Sequence, residues 1–522
     1  MASKPGQHRN RLVLLVALLA VVFVAPPYCT YVPFGEDRTA TASTDIPPAG
    51  DLFLGAERIS ALVGGGSAFY PLVDGNDALG ARLELIHQAE HTLDLQYFLL
   101  KPDRAGAVIS AALIAAAERG VRIRFLLDDI FTTATDEQLA YLDSHENIEL
   151  RLFNPLSRRS IKAMNFVFDM GRVNRRMHNK SFVADGSIAV FGGRNIAEEY
   201  FQIDTSAEFA DFDMMAVGPI VSQIGREFDL YWNDEMSVPI RAIYGTIEED
   251  DVLTVKNNID DLSRQALENV YKHAVSSEYL ADIMNGVTEP NRTDATLISD
   301  APEKLKVPVR KGADLRVLSN HMTDTIEATT EDVFIITPYF VPEPEDVEMY
   351  RTLAREGVRV RIVTNSLAST NHAYVHGGYA PYRKPLLEAG VEIFEVRADV
   401  PQVLGHVPPD SDVKLTMHTK AAVFDRDTVF VGSMNFDPRS IRLNTEVGAF
   451  LSGTEVAQAL VQSLEEKIAD YTYAVGLDES GDLIWTWSGK GAPEVLHSEP
   501  GANFVDKLVA KITQYLPVHG QL

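Results

Sequence analysis

Apolar and polar positions along the chain fall into short alternating runs separated by amphipathic stretches, and the order of these runs repeats. Residues 78–89 have helical spacing, and residues 92–100, TLDLQYFLL, alternate with aromatic content that predicts a strand. An alanine-rich stretch at 105–118 predicts a second helix, closed by Gly120, and residues 122–127 predict a further strand. The same rhythm returns after residue 312: EDVFIITPY at 331–339 parallels the first strand and residues 347–355 parallel the helix. REGVRVRIVTN at 355–365 then parallels ERGVRIRFLLD at 118–128. Helix, glycine, apolar strand is the rhythm of βαβ units. The pattern predicts an α/β fold: two similar lobes, at 52–240 and 312–475, built on mainly parallel sheets. A duplicated unit of this size suits lobes related by a pseudo-twofold axis, with the active site at their interface.

Other stretches lie outside that rhythm. Residues 1–34 hold His8, Arg9 and Arg11, then the uncharged run LVLLVALLAVVFVA at 12–25, and the chain stays uncharged to Glu36. That run has the length of a signal-peptide core, and its continuation is enough for a bilayer of about 30 Å. The expectation is a Sec-type signal, cleaved or retained as a membrane anchor, with the arginines in the cytoplasm and the body exported. Residues 35–50 look like a tether, and the acidic segment 241–311 like a helical linker insertion. The tail at 476–522 holds Trp485, Trp487 and FVDKLVAKITQYL, whose Phe504, Val505, Leu508, Val509, Ile512 and Leu516 share one helical face. That face either packs against the body or lies in a membrane interface.

Composition narrows the function classes. The 522 residues are 46% hydrophobic, and a net charge of -27 argues against a sequence-independent nucleic-acid binder, which needs a cationic surface. With the single cysteine Cys29, neither an intrachain disulfide nor a cysteine-based zinc site can form.

The chemistry lies in a stretch present twice. MHNKSFVADGSIAVFGGRN at 177–195 and MHTKAAVFDRDTVFVGSMN at 417–435 align without a gap. His178, Lys180, Asp185, Gly192 and Asn195 meet His418, Lys420, Asp425, Gly432 and Asn435. A histidine and a lysine two residues apart on a strand project from one face. Two copies facing each other would bring two imidazoles and two ammonium groups to one point, which suits a phosphodiester. The expected catalytic set is His178, His418, Lys180, Lys420, Asp185 and Asp425, the two aspartates holding the turn after the motif strand. Lys180, Lys420, Asn195 and Asn435, with Arg176, are the expected phosphate ligands. One imidazole attacks phosphorus while the other protonates the leaving oxygen. The lysine pair supplies the positive charge, so neither a metal nor another cofactor is expected. Asp213 and Glu446, each opening an apolar strand downstream of a motif, are the expected histidine-orienting acids. Arg151, Arg158, Arg159, Lys162, Arg172 and Arg175 gather with Arg176 ahead of the first motif, around Met164, Phe166, Val167 and Phe168. This mixture suits either anionic headgroups and an interfacial loop, or a solvated basic surface beside core residues.

The motif HxKxxxxD, six residues, GSxN, present twice, resembles the phospholipase D superfamily across residues 52–475, with Gly193 standing where the second copy has Ser433. Longer stretches resemble the bacterial cardiolipin synthase C type: NRRMHNKSFVADG at 174–186, GGRNIAEEYF at 192–201, ITPYFVP at 336–342, TNSLASTN at 364–371 and HGGY at 376–379. The resemblance implies a phosphatidyl-histidine intermediate on His178, with His418 as acid and base. It further implies transfer to phosphatidylglycerol from a second phosphatidylglycerol or phosphatidylethanolamine. Hydrolysis to phosphatidic acid uses the same residues and stays open at this level, as do a nucleic-acid phosphodiesterase, disfavoured by charge, and a silent membrane scaffold.

Overall fold

The computed structural model describes residues 25–35, 38–201, 207–490, 493–516 and 519–521. The first lobe contains β1 (Ser67–Leu72), β2 (Thr92–Tyr97), β3 (Arg122–Asp128), β4 (Ile148–Phe153), β5 (Ser181–Ala184), β6 (Ile188–Gly192), β7 (Ala207–Ala210), β8 (Asp213–Val217) and β9 (Ser237–Pro239). Its sheet runs β9-β4-β3-β2-β5-β6-β8-β1. Only β2, β3 and β4 are mutually parallel, each linked to the next through a helix. The sheet is therefore mixed rather than mainly parallel. The motif strand β5 returns antiparallel to β2 and forms a tight hairpin with β6, a connection too short for a parallel crossover.

The second lobe repeats this order. Its strands are β10 (Asn291–Ser299), β11 (Asp332–Ile336), β12 (Arg359–Asn365), β13 (Glu392–Val396), β14 (Lys414–Met417), β15 (Ala421–Phe424), β16 (Thr428–Gly432), β17 (Val447–Ser452), β18 (Thr472–Leu477), β19 (Leu483–Trp487) and β20 (Glu494–Leu496). They run β10-β17-β16-β15-β11-β12-β13-β18-β19-β20. β10 corrects the expectation of a helical linker. Its first residues pair with β1 and the rest with β17, which joins both lobes into one 18-stranded sheet. The helix Glu249–Glu268 does occupy the acidic part of that segment.

The tail also differs from expectation. β18 pairs with β13 and carries β19, so Trp485 and Trp487 lie in the second lobe's core rather than in an appendage. Between the lobes, the helices Pro219–Trp232 and Thr454–Tyr471 follow β8 and β17. Ile220, Val221 and Ile224 of one helix and Ala457 and Val461 of the other share a core with Val183, Phe191, Val423 and Val431. This apolar seam fixes the two motif hairpins relative to each other. A parallel two-stranded ribbon, β7 with β14, adds one strand from each lobe beside the seam.

The helix Phe504–Thr513 packs on the helix Ala373–Tyr379 through Ala510 and Thr513, while its apolar face points away from the body. Body packing is thus not the role of that face. Among the described residues no helix is long and apolar enough to cross a membrane. Of the signal or anchor expected at residues 1–34, residues 1–24 lie outside the described residues.

Candidate active site

Each motif hairpin is pinned by its aspartate. Asp185 and Asp425 adopt positive φ, 48° and 51°, a turn conformation that Asp tolerates better than most residues. The Asp185 carboxylate accepts hydrogen bonds from the backbone N–H groups of Glu90, His91 and Thr92 at 2.8–2.9 Å. Asp425 accepts from Thr330, Glu331 and Asp332 in the same way. Both aspartates therefore tie the hairpin turn to the start of the neighbouring strand. They belong to the scaffold, not to the catalytic group.

At the other end of each hairpin the lobes meet. The His178 N–H donates to Thr445 O at 3.0 Å and the His418 N–H to Ala210 O at 2.8 Å, so each histidine is clasped by backbone of the opposite lobe. The side chains cross in the same sense. His178 Nδ1 lies 2.9 Å from Glu446 Oε2, and His418 Nδ1 lies 2.7 Å from Asp211 Oδ2. Nδ1–H donation to a carboxylate fixes the tautomer that leaves Nε2 basic and turned toward the site.

Glu446 takes the place expected for it, and Asp213 does not. The Asp213 carboxylate is buried against Arg82 at 2.7 Å and Arg194 at 3.4 Å. The orienting acid is Asp211, two residues earlier, which sequence reasoning missed. The signal was present: DFDMMAVG at 211–218 set on EVGAFLSG at 446–453 matches Gly218 with Gly453 and Asp211 with Glu446. The sheet register agrees, since Gly192 pairs Asp213 while Gly432 pairs Gly448.

The Gly193 and Ser433 difference follows from these carboxylates. The Ser433 hydroxyl donates to Glu446 Oε2 at 2.5 Å. In the first lobe the shorter Asp211 sits over Gly193, where any Cβ would fall on its Oδ1. One half braces a longer acid with a hydroxyl; the other admits a shorter acid by having no side chain.

Lys180 Nζ donates to His178 O at 2.7 Å and Lys420 Nζ to His418 O at 2.6 Å. The four groups feel one another across the lobe boundary: both lysines depress both histidines. Burial, reinforced by the lysines and opposed by Glu446, pushes His178 down to about 4. Burial also brings Lys180 down to about 7 and Lys420 to about 8, with Glu446 and Asp211 opposing. Burial and the two lysines hold His418 well below its usual range. Glu446, which burial alone would raise, is held below its usual range by His178, Lys180 and Ser433. A bound phosphodiester anion would relieve this crowding of positive charge.

Asn195 and Asn435 are buried, and their side-chain carbonyl oxygens accept no hydrogen bond among the described residues. An open carbonyl acceptor suits a substrate hydroxyl, whereas the amide N–H groups are the donors a phosphoryl oxygen would need. The rings of Phe98 and Tyr200 stand edge-on to His178 and His418, with centroids 4.7 and 5.1 Å away. Phe131, half exposed, stands edge-on to Phe98 and leads from the surface toward His178. Sequence reasoning singled out none of these three aromatics.

Arg176 is not a phosphate ligand. It is buried, paired with Asp128 at 3.0 Å, and donates to the carbonyls of Val173, Phe153 and Asn154. Arg151, Arg158, Arg172 and Arg175 are likewise engaged by carboxylates or carbonyls of the body. Arg159 and Lys162 remain exposed. No group of metal-ligating side chains occurs among the described residues.

Residues 83–232 and 322–468, each stretch carrying one motif, match the family described as "Cardiolipin synthase, PLD-like domain". The chain belongs to this cardiolipin synthase family. Family members are phosphatidyltransferases that work on phospholipids. Cardiolipin synthase C of Escherichia coli (strain K12) is 35% identical over 460 residues, covering 87% of this chain and 96% of its own. The major cardiolipin synthase of Bacillus subtilis (strain 168) is 23% identical over 398 residues, 76% of this chain and 68% of its own. The crystal structure of phosphatidylserine synthase from Haemophilus influenzae Rd KW20 superposes with a TM-score of 0.54. At 13% identity, covering 90% of this chain and 100% of that one, it shares the fold.

Proposed function

We propose that the protein makes cardiolipin by transferring a phosphatidyl group onto the headgroup glycerol of phosphatidylglycerol, in two half-reactions at the crossed histidine pair. The supporting observation is the pair itself. Two imidazoles, each held by a carboxylate from the opposite lobe, share one buried site with two lysines.

His178 is the nucleophile. Its Nε2 has no hydrogen-bond partner among the described residues, whereas Lys420 Nζ lies 3.0 and 3.2 Å from the two ring nitrogens of His418. A cation against the His418 ring makes it the poorer nucleophile. In the first half-reaction His178 Nε2 bonds to phosphorus and the bond from phosphorus to the donor headgroup oxygen breaks. The departing alkoxide takes a proton from His418, and Glu446 stabilises the positive charge left on His178. In the second, the acceptor hydroxyl gives its proton to His418, its oxygen bonds to phosphorus, and His178 leaves. Lys180, Lys420, Asn195 and Asn435 hold the phosphoryl oxygens throughout. The donor is a second phosphatidylglycerol or phosphatidylethanolamine. An N-terminal anchor, with Arg9 and Arg11 on the cytoplasmic side, would keep the body at a bacterial inner membrane and facing the periplasm.

The test incubates the protein with phosphatidylglycerol, with and without phosphatidylethanolamine, and resolves lipids and released headgroups by mass. Cardiolipin with free glycerol or ethanolamine is the expected result. Phosphatidic acid alone would replace this reading with hydrolysis.

A further inference from the structure

The helix Phe504–Thr513 is mounted with its two faces the reverse of a core helix. Ala510 and Thr513 are buried against Gly377, whose lack of a Cβ permits the close approach. On the outer side Phe504 is 79% exposed, and Val505, Leu508, Ile512, Tyr515 and Leu516 are exposed with it. Residues 161–170 show the same habit. Ile161 is 72% exposed, with Phe166, Val167, Phe168 and Met170 also outside. Large aliphatic and aromatic groups gathered in this way on each of the two elements exceed the scattered apolar residues of an ordinary surface.

Four contacts tie the ends of these elements together along one rim. Arg439, a few residues after Asn435, donates to Asn174 Oδ1 at 2.8 Å and to Gln521 O at 3.1 Å. Asn174 lies between the exposed segment and His178 in the chain, and Gln521 follows the C-terminal helix by eight residues. At the other side of residues 161–170, Ser160 Oγ donates to Cys29 O at 3.2 Å, and the Arg159 guanidinium stacks 3.7 Å over the Tyr31 ring. Cys29 and Tyr31, which follow the apolar sequence run at 12–25, therefore lie beside that same segment. Arg159, Lys162, Lys507 and Lys511 are exposed along the rim of a chain whose net charge is -27.

We propose that the outer face of Phe504–Thr513 and the 161–170 segment together dock into the surface of an anionic bilayer beside the active site. This rests on the phospholipid-transfer reading. The apolar faces sit at the acyl boundary and the cations at the headgroups. A second copy fits this rim less well, because it would bring like charges together.

The test uses the full chain with Cys29→Ser, so that a label is unique. An environment-sensitive fluorophore is placed through Ile512→Cys or, as reference, through Leu253→Cys, a position 62% exposed on the linker helix. Reconstituted in phosphatidylglycerol vesicles containing brominated acyl chains, the label at 512 is expected to be quenched and the label at 253 not. Equal quenching, or quenching at 512 that arises between protein copies without lipid, overturns the proposal. This arm needs no turnover, so it stands apart from the catalytic reading. In the second arm, Leu508→Asp with Ile512→Asp is expected to cut turnover on vesicles about tenfold and leave turnover on monomeric short-chain phosphatidylglycerol unchanged. Equal loss on both substrates, or none on vesicles, overturns it.

Discussion

Replacing Asp211 by Asn probes the crossed arrangement at its least expected point. The Asp211 carboxylate is buried and lies 2.7 Å from His418 Nδ1. When His418 carries the proton it hands to the departing oxygen, the full charge on Asp211 stabilises the imidazolium. With charge centres about 4 Å apart and an effective dielectric of about 20, that attraction is about 4 kcal/mol. It corresponds to about a thousandfold in rate. Asparagine keeps the size and a carbonyl acceptor for Nδ1–H, so the loss is confined to charge. The companion substitution Asp213→Asn removes a charge from a buried cluster with Arg82 and Arg194. It should cost about 3–5 kcal/mol of stability and leave turnover per folded molecule close to the parent. Single-turnover transfer from phosphatidylglycerol in mixed micelles, quenched and resolved by mass, gives the rate; thermal melting gives the stability. Asp211→Asn within tenfold of the parent would refute the reasoning. So would Asp213→Asn losing turnover as severely with its melting unchanged.

Three further outcomes are expected. Gly193→Ala sets a methyl on Asp211 Oδ1 and lowers the same single-turnover rate by about tenfold or more, as misplacement of a catalytic group does; a parental rate would contradict it. Binding of an unreactive phosphonate analogue of phosphatidylglycerol at pH 7 takes up about one proton, because the anion opposes the burial and the lysine charges that hold His418 below its usual range. Calorimetry in two buffers of different ionisation enthalpy measures this, and zero uptake would count against it. Glu227 is buried, and burial pushes it up to about 8 from its usual 4.5. It stays protonated in the fold while the unfolded chain ionises, so its contribution is complete below about 4.5 and is lost as pH rises toward 8. Between pH 5 and 8 the loss is about 3.5 kcal/mol, the slope being about 1.4 kcal/mol per unit in mid-window and less where either state is part-titrated. Urea melts of Glu227→Gln should lack this slope, and parallel curves would refute it.

The motif copies, their shared face and Glu446 were legible because each depends on spacing along the chain. The choice between Asp211 and Asp213 was not, since acids two residues apart on a strand point to the same face. What separates them is long range: Arg82 and Arg194 claim Asp213, and the clasp of Ala210 on His418 brings Asp211 to the imidazole. Arg176 misled for the same reason, its partner Asp128 lying far along the chain at the end of β3. β10 escaped notice because NRTDATLIS is polar and only half-buried, its strand character coming from edges offered by β1 and β17. The apolar stripe at 504–516 was plain, but its outward direction depends on Gly377 making room for Ala510 and Thr513.

The exchange of carboxylates between lobes also sets a schedule. During synthesis His178 emerges long before Glu446, and His418 after Asp211, so a partly made chain holds an imidazole without its acid. The reactive nitrogen gains its fixed tautomer only when Thr445 clasps His178 and the second lobe closes on the first. A protein able to cut the lipids around it thus becomes competent at the end of its own folding. A chain ending before Glu446 would carry both motifs complete and still leave His178 without its acid.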